Sequence, residues 1–143
     1  MDVKANLNTI LKSIPKEVTL VVVSKTRQNS AIIEAYQLGQ RIFGENKVQE
    51  LVQKYEELPK DIYWHMIGHL QTNKVKFIAP FVSLIHGVDS VKLLKEINKK
   101  AKQNNRVIDC LLQVHIATES TKFGFDISEL SNAINSANEY QNI

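Results

Sequence analysis

The feature that most constrains the fold is a short apolar run at residues 18–26, which ends in Lys25 and Thr26. Its hydrophobic positions are contiguous rather than alternating with polar ones, which is typical of a strand buried on both faces in a parallel sheet. Lys25 would then lie at the carboxyl end of that strand, where ligands bind in α/β barrels and open α/β sheets. The run therefore predicts a buried strand that delivers an amine to a site, and a solvated lysine opening a loop is the alternative.

The composition is that of an ordinary globular domain, with 143 residues, 43% hydrophobic residues and a net charge of +3. The 18 basic residues are scattered along the chain, so they do not indicate nucleic-acid binding. The single cysteine, Cys110, lies in an apolar stretch and is expected to pack in the core. No segment approaches the roughly 18 apolar residues of a membrane span. We therefore expect a cytoplasmic protein that binds neither nucleic acid nor membranes.

The remainder of the chain alternates between short apolar stretches and amphipathic segments. Strands are predicted at residues 41–44, 62–68, 81–86 and 107–114, and helices precede or follow each of them. The expected helix caps are Asn29 or Ser30, a capping box at Asn46 and Gln49, Asp89 or Ser90, and a capping box at Asp126 and Glu129. Strands that alternate with helices, without a hairpin signal, predict parallel βα units in one domain.

Parallel strands bring their carboxyl ends to one edge of a sheet, so the residues at those ends should meet there. We call this edge the strand-end rim. The residues predicted at it are Ser24, Lys25, Gly44, Glu45, Asn46, His65, Gly68, His86, Gly87 and His115. The glycines would allow close approach of backbones. The sequence thus predicts a polar site at one end of the fold.

Several kinds of chemistry could use such a rim. Metal binding by His65, His86 and His115 is disfavoured because none belongs to a closely spaced ligand motif. Ser24 lacks the glycine-flanked elbow of serine hydrolases. A Schiff base is favoured, because an amine that loses hydration at the end of a buried strand is held partly in its neutral, nucleophilic form. Lys25 alone does not choose between a sugar aldehyde and pyridoxal 5′-phosphate (PLP).

Four motifs resemble, in order, those of the YggS/PROSC family of PLP homeostasis proteins. They are Val22-Val23-Ser24-Lys25-Thr26; Phe43-Gly44-Glu45-Asn46 with Val48-Gln49-Glu50; Trp64-His65-Met66-Ile67-Gly68 with Leu70-Gln71 and Asn73-Lys74; and Glu119-x-x-Lys122-x-Gly124. The motifs cover nearly the whole chain. The resemblance implies an α/β fold, the (β/α) TIM barrel of the alanine racemase N-terminal type, with about five of eight βα units present. Residues 1–143 would be the N-terminal part of a single PLP-binding barrel domain.

The resemblance also implies a function. It indicates a PLP-binding protein of PLP homeostasis that holds the cofactor as a Schiff base on Lys25, without established turnover, without catalytic residues and without a metal. It places Asn46 and His65 beside the cofactor, although a helix cap and a core histidine are the respective alternatives. Further residues that could line the site are Gly44, Gly68, Gln71, Asn73, Lys74 and Lys122. PLP-dependent apoenzymes are candidate recipients of the cofactor.

Two other functions of such a barrel remain open. A PLP-dependent amino-acid racemase typically has its lysine in a Lys-Ala-Asn-Ala-Tyr-Gly-like context and a second domain that supplies a tyrosine base, and neither is visible in residues 1–143. A Schiff-base aldolase would cleave phosphosugars without added PLP. The four motifs favour neither alternative.

The chain departs from the family at its carboxyl end, where a sixth strand would be expected after residue 143. The family's serine- and glycine-rich segment and its Arg-x-Gly segment, which would hold the cofactor phosphate and approach the pyridine nitrogen, are not among these residues. We therefore expect a partial barrel whose first and fifth strands lack closing neighbours and that self-associates through those edges. PLP binding should be weaker than in a complete barrel.

Overall fold

A computed structural model describes residues 2–119 and 123–143, which form helices packed on one parallel sheet. The helices are Val3–Ser13 (α1), Asn29–Gln37 (α2), Val48–Glu57 (α3), Val75–Ile78 (α4), Val91–Gln103 (α5) and Ile127–Asn138 (α6), with a 3-10 turn at Thr72–Lys74. The strands are Val22–Val23 (β1), Ile42–Glu45 (β2), Tyr63–Met66 (β3), Leu84–Val88 (β4) and Asp109–Leu112 (β5).

The strands pair in the order β1-β2-β3-β4-β5, and every pair is parallel. This sequential order is that of a (β/α) barrel, whereas the strand order of a doubly wound sheet reverses at a switch point. The predicted parallel βα units are therefore confirmed. Among the residues that the structure describes, β1 and β5 form the two edges of the sheet.

The first strand is shorter and more open than the sequence predicts. Only Val22 and Val23 pair with β2, and the Ser24 N–H extends the ladder by a 3.0 Å hydrogen bond to the Gly44 carbonyl. Val23 is 50% exposed, so the expectation of a strand buried on both faces is wrong. The physical reason is that, among the described residues, β1 pairs with a neighbouring strand on one side only.

The core lies between the sheet and the helices. The strands contribute five fully buried side chains to this core: Phe43, Glu45, Trp64, Met66 and Ile85. Along each strand they alternate with residues on the opposite face of the sheet, as the period of two requires. Burial of an apolar side chain of this size contributes about 1.5–3 kcal/mol.

Cys110 packs against the core, as predicted, and carries no reactive thiolate. Burial, followed by the neighbouring Asp109, raises the pKa of its thiol to about 12. A thiol with so high a pKa stays protonated at neutral pH and is a poor nucleophile.

Helix ends follow some of the predicted signals. The Ser90 hydroxyl accepts a 3.2 Å hydrogen bond from the Leu93 N–H, and the capping box of Asp126 and Glu129 forms. The capping box predicted at Asn46 is wrong, because α3 starts one residue later, after Lys47. The predicted caps of α2 are wrong as well, since that helix already includes Asn29. None of the described helices is both long enough and apolar enough to cross a membrane.

Self-association of residues 1–143 stays a prediction, and the structure supplies apolar groups for it. Val23 at one edge and Leu111 at the other are each about half exposed, and open strand edges pair with other chains. We expect the sedimentation coefficient to rise with protein concentration, and Val23→Lys to shift the chain towards monomer because a lysine on an edge strand opposes pairing. A single monomeric species at every concentration would contradict this expectation.

Candidate functional site

The backbones at the ends of β2, β3 and β4 are packed closely at the strand-end rim. A Cβ on Gly68 would lie 2.4 Å from the Asn46 carbonyl oxygen and 2.8 Å from the Asn46 Cα, and a Cβ on Gly87 would lie 3.1 Å from the Gly68 carbonyl oxygen. Neither Gly44 nor Gly68 adopts the left-handed conformation that favours glycine. Their role is close packing.

Replacing Gly68 by alanine should destabilise the fold by about 1–3 kcal/mol, because the rigid Asn46 backbone must move to admit the new Cβ. Gly44→Ala is the matched control, since its Cβ would meet the Ile67 side chain at 2.9 Å, and a side chain can rotate away. Each glycine-to-alanine substitution reduces the conformational freedom of the unfolded chain by the same amount, so this effect cancels in the comparison. Urea unfolding measures the two losses, and a loss for Gly44→Ala equal to or larger than that for Gly68→Ala would contradict the packing argument.

Lys25 lies in the turn directly after β1, and its side chain is exposed. In the sheet, Val23 of β1 pairs with Gly44 of β2, and Gly44 pairs with His65 of β3. Lys25 and Asn46 lie two residues after the paired residues Val23 and Gly44. The backbones of these two predicted site residues are therefore at adjacent strand ends. The sequence predicted an amine that loses hydration at the end of a buried strand. The exposed Lys25 side chain does not agree with that prediction.

His65 and His86 form a pair on adjacent strands. The His65 Nδ1 lies 3.0 Å from the His86 Nε2, and His65 is only 8% exposed. Burial, with a smaller contribution from His86, lowers the pKa of His65 to about 4, and burial also lowers the pKa of His86. Both rings are therefore neutral near pH 7, and one ring donates a hydrogen bond to the other. This arrangement agrees with the alternative of a core histidine with one satisfied nitrogen.

The His65 pair should make stability depend on pH. The pKa of His65 in the folded state is below that of an unfolded histidine, about 6.5, so its contribution is complete above about pH 6.5 and is lost as the pH falls towards 4. The loss should be about 2–3 kcal/mol. Urea unfolding at pH 7 and pH 4.5 measures it, and His65→Gln, which cannot titrate, should show a smaller loss. The same loss in both proteins would contradict the assignment.

In the described part of the chain, His65 and His86 do not come together with His115 as a group that could hold a metal ion. The described residues contain no group of three or more His, Cys, Asp or Glu side chains arranged to hold a metal ion. His115 is half-buried, and its Nε2 is buried without a hydrogen-bond partner among the residues described.

A buried polar network lies around Ser24, next to Lys25. Glu45 is fully buried, and its Oε1 accepts hydrogen bonds from the Ser24 hydroxyl at 2.6 Å and from the Lys54 Nζ at 2.7 Å. The Lys54 Nζ also donates to the Ser24 carbonyl and to the Glu50 Oε1, each at 2.7 Å. The Glu50 Oε1 in turn accepts a 2.6 Å hydrogen bond from the Thr26 N–H.

Electrostatics keep Glu50 ionised within this network. The hydrogen bond from Lys54 is the largest cause that holds the pKa of Glu50 below its usual value. Burial, the next largest cause, opposes it, and the hydrogen bond from the Thr26 N–H adds to the lowering. Glu50 is therefore a charged acceptor at neutral pH. Hydrogen bonds to charged acceptors are the stronger ones.

Sequence reasoning missed Lys54, although a signal was present. Lys54 follows Leu51 by three residues, so the two side chains are neighbours on α3, and both are buried. A lysine in an apolar stripe needs a buried partner, and Glu45 at the end of a buried strand supplies one.

The other predicted site residues are less closely tied to Lys25. Gln71 and Asn73 are exposed at the 3-10 turn, and the Lys74 Nζ lies 5.7 Å from the centre of the Phe77 ring. Lys122 lies outside the described residues. These assignments stay predictions.

The sequence did not single out His69, which joins two loops near the rim. Its ring stacks on Phe123 with centroids 3.7 Å apart, and its Nδ1 lies 3.3 Å from the Asp89 Oδ2. His69 therefore links the loop that follows β3 to the segment that follows β5.

A parallel sheet in sequential order, with a lysine in the turn after its first strand, defines a protein of the (β/α) barrel type. Residues 2–143 match the alanine racemase, N-terminal domain family, and the chain belongs to that family. The chain is 42% identical over 125 residues to the pyridoxal phosphate homeostasis protein of Aquifex aeolicus, a match that covers 87% of this chain and 55% of that protein.

A second homeostasis protein and a solved structure are also similar to this chain. The pyridoxal phosphate homeostasis protein of Escherichia coli K12 is 39% identical over 120 residues, covering 81% of this chain and 51% of that protein. The structure of PipY from Synechococcus elongatus PCC7942 with PLP bound matches with a TM-score of 0.91 at 34% identity, over 99% of this chain and 66% of PipY. The YggS/PROSC resemblance and the barrel type that it implied are confirmed. The chain spans about half the length of these two homeostasis proteins.

Proposed function

We propose that this protein binds PLP through a Schiff base on Lys25 and serves PLP homeostasis without catalytic turnover. The observation that carries the proposal is the place of Lys25, an exposed amine in the turn directly after β1, beside the strand end that bears Asn46. Relatives named for PLP homeostasis and a similar structure with PLP bound support it.

The residues at the rim suit such a ligand. The Lys25 amine is accessible, and when PLP is bound it supplies an aldehyde to which this amine can be joined through a C=N bond, with release of one water. Asn46 has an amide that can donate and accept hydrogen bonds, and the neutral pair of His65 and His86 adds polar groups without charge. We assign Asn46 and His65 to hold the ligand.

The family resemblance also bears on the domain, the location and the partners of the protein. Residues 1–143 would form the N-terminal part of one PLP-binding domain, in the cytoplasm, and PLP-dependent apoenzymes would receive the cofactor. Besides Lys25, Asn46 and His65, the residues that would line the PLP site are Gly44, Gly68, Gln71, Asn73, Lys74 and Lys122.

Titration of the chain with PLP tests the proposal. We expect an imine absorbance band that saturates with PLP. Pyridoxine 5′-phosphate is the control ligand, because it has the same ring and phosphate but no aldehyde, and it should produce no such band. Absence of the band with PLP would overturn the proposal.

A PLP-dependent racemase is the second candidate, because the chain belongs to the alanine racemase, N-terminal domain family. Incubation of the PLP-loaded protein with L-alanine and other L-amino acids, followed by chiral analysis, separates the two functions. We expect no racemisation beyond that caused by free PLP. Racemisation that requires the protein and is lost in Lys25→Ala would favour the racemase.

A further inference from the structure

The buried network holds the backbone on both sides of Lys25. On the amino-terminal side, the Ser24 carbonyl accepts from the Lys54 Nζ and the Ser24 hydroxyl donates to Glu45. On the carboxyl-terminal side, the Thr26 N–H donates to Glu50. The two sides are joined, because Lys54 bridges the carboxylates of Glu45 and Glu50.

The conformation of Thr26 requires such a restraint. Its φ is 62°, in the left-handed region, which a β-branched residue adopts only when its surroundings impose it. The 2.6 Å hydrogen bond from the Thr26 N–H to Glu50 is a contact that can impose it. The turn that carries Lys25 is therefore held in a conformation that Thr26 would not choose alone.

The burial of the network suggests a purpose beyond packing. Glu45 is 0% and Lys54 only 5% exposed, and a buried ion pair is seldom more stabilising than apolar side chains of similar size. The pair instead fixes particular atoms next to Lys25, because Lys54 donates to the Ser24 backbone carbonyl and Glu45 accepts from the Ser24 hydroxyl. Mobile lysine side chains are presented precisely only when their backbone is fixed.

We propose that Lys54, Glu45 and Glu50 are positioning residues, which fix the turn at Lys25 and so determine where its amine meets the PLP aldehyde. The inference rests on the proposed function, because it concerns the amine that would bind PLP. None of the three residues needs to touch PLP. Their effect passes through the backbone at Ser24 and Thr26.

Glu50 is the residue on which to test this, because its side chain is 24% exposed and its replacement spares the buried pair of Glu45 and Lys54. Glu50→Ala removes the acceptor of the Thr26 N–H, whereas Glu50→Gln keeps a carbonyl oxygen in its place. Glu56→Ala, at an exposed position of the same helix, is the matched control.

Two readouts are measured on each variant. The first is hydrogen exchange of the Thr26 amide in the protein without PLP, which reports the restraint itself. The second is the equilibrium constant for imine formation with PLP. We expect Glu50→Ala to speed exchange and to weaken PLP binding, each by about tenfold, while Glu50→Gln restores most of both and Glu56→Ala changes neither.

The outcomes separate the inference from the proposed function. Faster Thr26 exchange in Glu50→Ala with unchanged PLP binding would overturn the positioning role and leave a purely structural network. Unchanged exchange in Glu50→Ala would overturn the restraint. If the wild-type chain itself forms no imine, the proposed function fails and the inference fails with it, whereas a wild-type imine shows that any failure lies in the inference alone.

Discussion

Replacing Lys54 by methionine is expected to destabilise the folded chain by about 3–5 kcal/mol, because it leaves a buried carboxylate without its cation. Glu45 is fully buried, and Lys54 lies 2.7 Å from its Oε1. Methionine keeps most of the apolar stem, so the loss reports the charge rather than the packing. Urea unfolding at pH 7 gives the free energy of unfolding for both proteins.

Lys99→Met is the matched control, since Lys99 is exposed on α5 and its replacement should change stability by no more than about 0.5 kcal/mol. Adding Glu45→Gln to Lys54→Met removes the unpaired charge and should recover part of the loss. A loss in Lys54→Met that is no larger than in Lys99→Met would show that the ion pair does not hold the fold together.

Replacing Lys25 by alanine is expected to abolish the PLP imine while leaving stability within about 0.5 kcal/mol of wild type. The amine would be the covalent handle, whereas its exposed side chain adds little packing. The imine band and the urea midpoint measure the two effects. Lys47→Ala, an exposed lysine directly after Asn46, should retain the band. A band retained in Lys25→Ala would transfer the role to another lysine, with Lys122 the first to test.

The sequence predicted the number and the parallel direction of the strands because each βα unit is a local pattern, whereas their order in a barrel was implied only by the family resemblance. A contiguous apolar stretch, a polar stop and an amphipathic helix lie next to each other in the chain, so no long-range information is needed to recognise them. The length and burial of β1 were not predictable in this way. Whether Val23 is covered depends on which elements lie beside it in space.

The candidate site also contains residues that local patterns predict and contacts that they do not. Lys25 and Asn46 follow apolar strands, so their positions at the rim could be predicted. The contact of His65 with His86 depends on the register of β3 and β4, because a shift of one strand by one residue would place the two rings on opposite faces of the sheet. Local patterns do not fix that register.

The buried network of Glu45, Lys54 and Glu50 could not be predicted from the sequence for a second reason. A polar residue is ordinarily expected at the surface, and only the packing of α3 on the sheet shows that Lys54 is buried beside two carboxylates. The lysine in the apolar stripe of α3 was the available signal. Its partner could not be chosen without the fold.

Attachment of PLP to Lys25 is tested directly by reducing the chain with borohydride in the presence of PLP and mapping the modified peptide by mass spectrometry. Reduction converts the C=N bond into a stable secondary amine, so it marks the lysine that held the aldehyde. We expect the label to lie predominantly on Lys25. Labelling spread over the exposed lysines without preference for Lys25, or confined to another lysine, would contradict it.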